Sequence, residues 1–185
     1  MSSNINSTQT LTDAKNSADL YLEEAELCAN HTPKVLGFAA MSLTLACVVS
    51  VGEALTGQVC PSDESCIRTF CAKMVSFDWL LSPSERTTNP DPASALYGVR
   101  NALAHALSLP NDICLVPRPE IYYATYSTRY STGIVPSLFV DAVRRTLDDI
   151  VQQYPQTTFD RLSSKRSRSP VKVDQPPSGG SIPGR

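Results

Sequence analysis

Along four stretches of this chain apolar residues recur at steps of three and four, the period of a helix that buries one face. Leu11, Ala14, Ala18, Tyr21, Ala25 and Cys28 form the first seam, with Glu23, Glu24 and Glu26 largely off it. The next apolar stretch is different in kind: Val35 to Gly52 is a run of 18 uncharged residues preceded by Pro33. A helix that opens there and ends near Gly57 is apolar all round and has to be covered by several neighbours. Ile67, Phe70, Cys71, Met74, Phe77 and Leu81 again repeat at three and four, predicting a third helix from about Glu64 to Leu81 whose apolar face Trp79 and Leu80 widen.

The loop-like stretch SPSERTTNPDP at 82–92 ends in Asp91-Pro92, an N-cap followed by the residue best suited to a first helical position. A fourth helix therefore begins there, carries the stripe Leu96, Val99, Leu103 and Leu107, and stops at Pro110. The β-favouring runs ICLV and IYYATY, separated by Pro117-Arg118-Pro119, predict a small hairpin or irregular extended excursion. After Pro136 a fifth helix turns Phe139, Val143, Leu147, Ile150 and Tyr154 inward. Asp141, Arg145 and Asp149 on it have the spacing of helix-surface ion pairs. Beyond Pro155 the chain is too poor in apolar residues to bury a face and is expected to be disordered. The fold class that follows is all-α: an up-and-down bundle of about five helices over residues 10–155, a flexible N-terminus at 1–9, and a disordered basic Ser/Pro/Gly-rich tail at 156–185.

Charge changes this picture in one respect. Residues 161–185 hold six Lys/Arg and one Asp, so the tail carries +5 while the rest of the chain sums to −7. An acidic body does not grip nucleic acid along its whole length, so any RNA contact is local or assisted by the tail. The cysteines Cys28, Cys47, Cys60, Cys66, Cys71 and Cys114 include no Cys-x-x-Cys pair and no His placed to complete a zinc site, so neither a metal nor another cofactor is expected. Met1–Thr12 lacks the basic-then-apolar layout of a secretory signal, which points to a cytoplasmic chain with reduced, mostly buried thiols. The apolar run 35–52 sits at the lower edge of a bilayer-crossing length, softened by Gly37, Ser42, Thr44, Ser50 and Gly52 and with no flanking aromatic belt. A buried central helix is favoured over a membrane anchor, which stays as the rival reading.

The chemistry concentrates on the fourth helix. Its core direction is fixed by the Leu96 stripe, and at about 100° per residue Asn101 and His105 point away from it while Arg100 stands at its border. Tyr97, Gly98 and Ala104 beside them are suited to a close helix-to-helix seam, the tyrosine as an aromatic wall and the other two by small size.

Arg100-Asn101-Ala102-Leu103-Ala104-His105 resembles the RNxxxH motif of the HEPN superfamily, and the preceding LYGV resembles its hydrophobic-aromatic lead-in. The order of elements over about residues 10–155 is similar too. The resemblance implies an endoribonuclease that needs no metal, in which Arg100, Asn101 and His105 of two protomers meet across a symmetric dimer interface and cut RNA by attack of its own 2'-hydroxyl. It also implies a toxin or defence role, held in check by an antitoxin of the minimal nucleotidyltransferase kind. A non-catalytic HEPN-like module that binds RNA, a nucleotide or a protein is the alternative. Against a catalytic role, Arg100 has a simple rival explanation as one half of a surface ion pair. His31 is expected to serve a helix C-terminus. Glu53, expected to be buried at the end of the apolar helix, is a further candidate contact to the trio. Ala106 departs from the Gly or polar residue of many relatives and alters the room at the interface.

Overall fold

The computed structural model describes residues 8–30, 34–56, 62–83, 90–106, 108–153 and 158–160. In chain order its elements are β1 (Thr8–Thr10), α1 (Leu11–Asn30), α2 (Lys34–Thr56), α3 (Asp63–Cys71), β2 (Leu80–Leu81), α4 (Pro92–Ala106), β3 (Ile113–Leu115), a helical turn α5 (Pro119–Ile121) that runs into a π-helix (Tyr122–Tyr126), β4 (Thr132–Ile134), α6 (Pro136–Gln153) and β5 (Thr158–Asp160). The fold is broadly all-α, a helical bundle with a small sheet added to it.

The apolar helix α2 is the centre of the bundle, packed by α1, α3, α4 and α6. Its Met41, Leu45, Val48 and Val51 are buried against Leu22 of α1, Ile67 and Phe70 of α3, Leu96 and Val99 of α4, and Phe139, Val143 and Leu147 of α6. By length and composition Gly37–Thr56 would also suffice to cross a membrane. Its exposed positions, Ser42, Ala46, Ser50 and Glu53, are small or polar. Glu53 is thus exposed rather than buried as expected. The neighbouring Gly52 takes the inward position, against the backbone of Cys66, and at 100° per residue Glu53 is carried round to solvent.

The first seam is rotated from its predicted position: Leu22 is fully buried with Ala18 and Ala25, while Tyr21 is 54% exposed. Leu11 and Ala14 lie outside the residues whose side chains are described. On α6 the four inward residues Phe139, Val143, Leu147 and Ile150 are buried as expected, and Tyr154 lies outside the described residues. Its ion pairs differ from the expected ones. Arg145 is exposed without a partner among the described residues, whereas Arg144 reaches Glu26 of α1 at 2.8 Å and Asp148 accepts from Lys15 of α1 at 3.1 Å.

Two stretches depart from the sequence reading in type. The third helix stops at Cys71 instead of Leu81. Lys73 and Met74 close tight turns onto the carbonyls of Phe70 and Cys71, the Ser76 hydroxyl accepts from Asp78 N, and the chain emerges extended as β2. Trp79 is still buried, but it reaches the core from an extended segment, its ring centroid 4.7 Å from that of Phe139. The second departure is IYYATY, which is helical, with Pro119 at its first turn and a π-type bond from Ser127 N to the Tyr122 carbonyl at 2.8 Å. No hairpin joins it to ICLV. Instead β4, from the later Thr132–Ile134, lies between antiparallel β2 and parallel β3.

Alternation gives this sheet two apolar faces. Leu80, Ile113, Leu115 and Ile134 join the main core, while Leu81, Cys114 and Val116 face a second cluster around Tyr122 and Val135. Outside the 10–155 limits expected for the bundle, β1 and β5 pair antiparallel, Gln9 opposite Phe159. Of the expected disordered tail at 156–185, Thr158–Asp160 form β5 instead, and 156–157 and 161–185 lie outside the described residues.

Of the cysteines described, Cys28, Cys47, Cys71 and Cys114 are free. Cys66 differs from the expectation of reduced thiols: it is disulfide-bonded, with a partner outside the described residues. Such a bridge depends on Cα separation in the fold, which spacing along the chain does not reveal.

Candidate functional site

Asp91 opens α4 as expected: its Oδ1 accepts from Ala93 N at 3.3 Å and its Oδ2 from the Ser94 hydroxyl at 2.6 Å. The stripe Leu96, Val99 and Leu103 is buried to 6% exposure or less, which turns the opposite side of the helix outward. Leu107 lies outside the described residues. His105 is exposed in the last turn, with no hydrogen bond or ion pair among the described residues, and Ala104 beside it is exposed too. Asn101, one turn earlier, is half-buried, as is Arg100.

Arg100 is not free. Its Nη2 pairs with Oδ2 of Asp63, the first residue of α3, and its Nη1 donates to Asn101 Oδ1 at 3.4 Å. The helices α3 and α4 run antiparallel, and at the other end of the pair Arg68 bridges Glu64 and Asp91, each at 2.9 Å. The Ser94 hydroxyl, and then Arg68, hold the Asp91 carboxyl below its usual range. Sequence reasoning anticipated an ion pair for Arg100 in general terms but did not identify Asp63. Its one visible signal was an acid in the first turn of α3, where the helix dipole favours an anion.

The expected interface residues are placed unequally. Ala104 is open, Tyr97 is half-buried against the main core, and the side of Gly98 that a Cβ would occupy faces Pro110 Cγ at 3.6 Å, an ordinary contact within the chain. Part of the small-residue seam is thus covered by the segment that follows α4. His31 lies outside the described residues.

A second polar cluster lies elsewhere. Lys15, Asp19, Glu23, Glu26, Arg144 and Asp148 line a groove of about 380 Å³ between α1 and α6. Its cations are already matched, Lys15 by Asp19 and Asp148 and Arg144 by Glu26. It joins the two helices and shares no residue with the α4 trio. Among the described residues no group of three His, Cys, Asp or Glu side chains is placed to hold a metal ion.

In comparisons with known proteins, no family model matches this chain, and neither a curated protein nor a solved structure matches it.

Proposed function

We propose that this chain is an RNA-cutting enzyme of the HEPN type, a toxin or defence effector whose active site is completed when α4 of one protomer meets α4 of another. The observation that carries this reading is the outward His105, without a partner among the described residues, one turn from Asn101 on a helix whose opposite face is buried. Core packing does not account for an imidazole in that position.

Cleavage of RNA by its own 2'-hydroxyl needs a base for that proton, an acid for the departing 5'-oxygen, and positive charge at the phosphorane. One protomer has a single described histidine. Two protomers related by a two-fold axis through α4 would bring a pair of His105 imidazoles to one phosphate, one accepting the nucleophile's proton and the other protonating the leaving group. The product ends would be a 2',3'-cyclic phosphate and a free 5'-hydroxyl. Arg100 would hold the phosphate oxygens, and Asn101 would orient the imidazole or share a phosphate oxygen. No metal or other cofactor enters this reading, and an antitoxin of the minimal nucleotidyltransferase kind is its natural regulator.

The second reading, a non-catalytic module that binds RNA, a nucleotide or a protein at the same face, is favoured by one observation: Arg100 is engaged by Asp63. His105 in the last turn of α4 also gains from the helix dipole without any catalytic role. The deciding experiment incubates purified full-length protein, beside His105→Ala, with a mixed RNA pool in excess EDTA. Cleavage by wild type alone, leaving cyclic phosphate ends, supports the enzyme. Equal cleavage by both proteins, or by neither, overturns it.

A further inference from the structure

We infer that Asp63 is an internal counter-ion that competes with RNA phosphate for Arg100, so that the site binds substrate by exchanging one anion for another. The inference rests on the proposed role of α4 and adds the residue that regulates it.

Several features set this contact apart from the other surface ion pairs. Arg100 is the only permanent cation of the trio, and Asp63 neutralises it, so the site presents no net positive charge to a polyanion while the pair is closed. Arg68, in contrast, is matched by two carboxylates and a hydroxyl, those of Glu64, Asp91 and Ser94. Its pairing is the one suited to clamp α3 on α4. Among the described residues Arg100 has Asp63 and a long contact to its own neighbour Asn101, which leave guanidinium donors unused by them. The pair is also accessible, with side-chain exposures of 35% for Arg100 and 26% for Asp63. A phosphate can therefore approach the free edge of the guanidinium while Asp63 still holds the other. Asp63 in turn is not stranded when released, because it sits in the first turn of a nine-residue helix whose dipole stabilises an anion there.

The test measures affinity, separately from cleavage. Full-length protein is titrated with a mixed-sequence 2'-O-methyl RNA oligonucleotide, which has no 2'-hydroxyl to attack, for wild type, Asp63→Asn, Asp63→Ala, Glu64→Gln, Arg100→Ala and the double variant Asp63→Asn with Arg100→Ala. Removal of the competing anion should tighten binding roughly three- to fivefold at low salt, in keeping with the strength of a part-exposed ion pair. The double variant should bind as weakly as Arg100→Ala, since the gain acts through that guanidinium. Glu64→Gln removes an equal charge from the adjacent position and should show no comparable gain. Asp63→Ala carries the same test if the asparagine variant does not fold. Should Arg100→Ala weaken binding while neither Asp63 variant tightens it, or should Glu64→Gln tighten it equally, the counter-ion role is overturned and the proposed enzyme survives. Unchanged affinity in Arg100→Ala, together with unchanged cleavage in His105→Ala, removes the functional reading and this inference with it.

Discussion

Gly52 of α2 lies so close to Cys66 of α3 that a Cβ built on the glycine would overlap the Cys66 carbonyl group. The atom in the way is backbone, so no rotamer change relieves the overlap, and the helices can only separate. Gly52→Ala is therefore expected to cost about 1–3 kcal/mol, the usual range for overpacking a core. Because α3 also supplies Asp63, three residues before Cys66, the same substitution should disturb the Asp63–Arg100 pair at the start of that helix. Chemical denaturation measures the first effect. A variant as stable as wild type would mean that α3 shifts freely on α2.

Trp79 offers a different test. It is fully buried with its ring tilted against that of Phe139, yet its indole Nε1 has no hydrogen-bond partner among the described residues. Its stabilisation then comes from apolar contact, partly offset by an unsatisfied donor, a group that typically costs about 1–3 kcal/mol when buried. Trp79→Phe removes that donor along with some volume and should cost under about 2 kcal/mol, whereas Trp79→Ala opens a cavity and should cost about 3–5 kcal/mol. Urea midpoints followed by circular dichroism separate the two. A phenylalanine variant as damaged as the alanine one would indicate that the indole N–H is satisfied in solution.

The same tryptophan illustrates what was legible in the chain. Its burial could be read from the apolar steps Ile67, Phe70 and Met74 that precede it, but its backbone could not, because a step of three or four between apolar residues is also satisfied by a helix followed by an extended segment. Long elements with one well-marked face, α4 and α6, were legible almost to their ends. They were legible because their stripes are continuous and begin at proline. For Tyr122–Tyr126, β propensity lost to context: the Tyr122 ring is buried on Gly133, and its hydroxyl donates to the Tyr130 carbonyl at 3.0 Å. At the candidate site the outward trio on α4 followed from the Leu96 stripe. Asp63 did not, since the antiparallel contact of α3 with α4 is a tertiary relation that neither helix encodes alone.

Burial pushes the thiols of Cys47 and Cys114 up to about 11 and that of Cys71 up to about 12, from an ordinary 9.0. In the unfolded chain these groups lose their protons near the ordinary value, while the folded chain keeps them. Between about pH 9 and the raised values the native state therefore binds more protons, and stability falls as pH rises through that window. The thiol contribution is fully present below pH 9. Cys28, half-buried, should be alkylated by iodoacetamide ahead of the other three at pH 8 in native buffer. Denaturation at pH 8 and pH 10 should show a loss of stability that is smaller in Cys47→Val. Equal labelling of all four thiols would show that the core opens readily.

Ala104 gives the proposed dimer its most direct structural test. It is exposed and immediately precedes His105, on the outward side of a helix whose Leu103 is buried. A larger charged side chain there meets open solvent in the single protomer, so Ala104→Glu should change its stability by no more than about 0.5 kcal/mol. Two copies of α4 meeting across a two-fold axis would place that carboxylate against its mate or against the incoming phosphate, and like charges so placed repel strongly. The expected result is a protein that sediments as a monomer, melts like wild type and has lost cleavage of the RNA pool. Ala104→Ser, small and neutral, should retain both assembly and activity. If the glutamate variant still dimerises and cuts RNA, the two imidazoles do not meet through this face, and the acid and base of the reaction have to be sought on other elements.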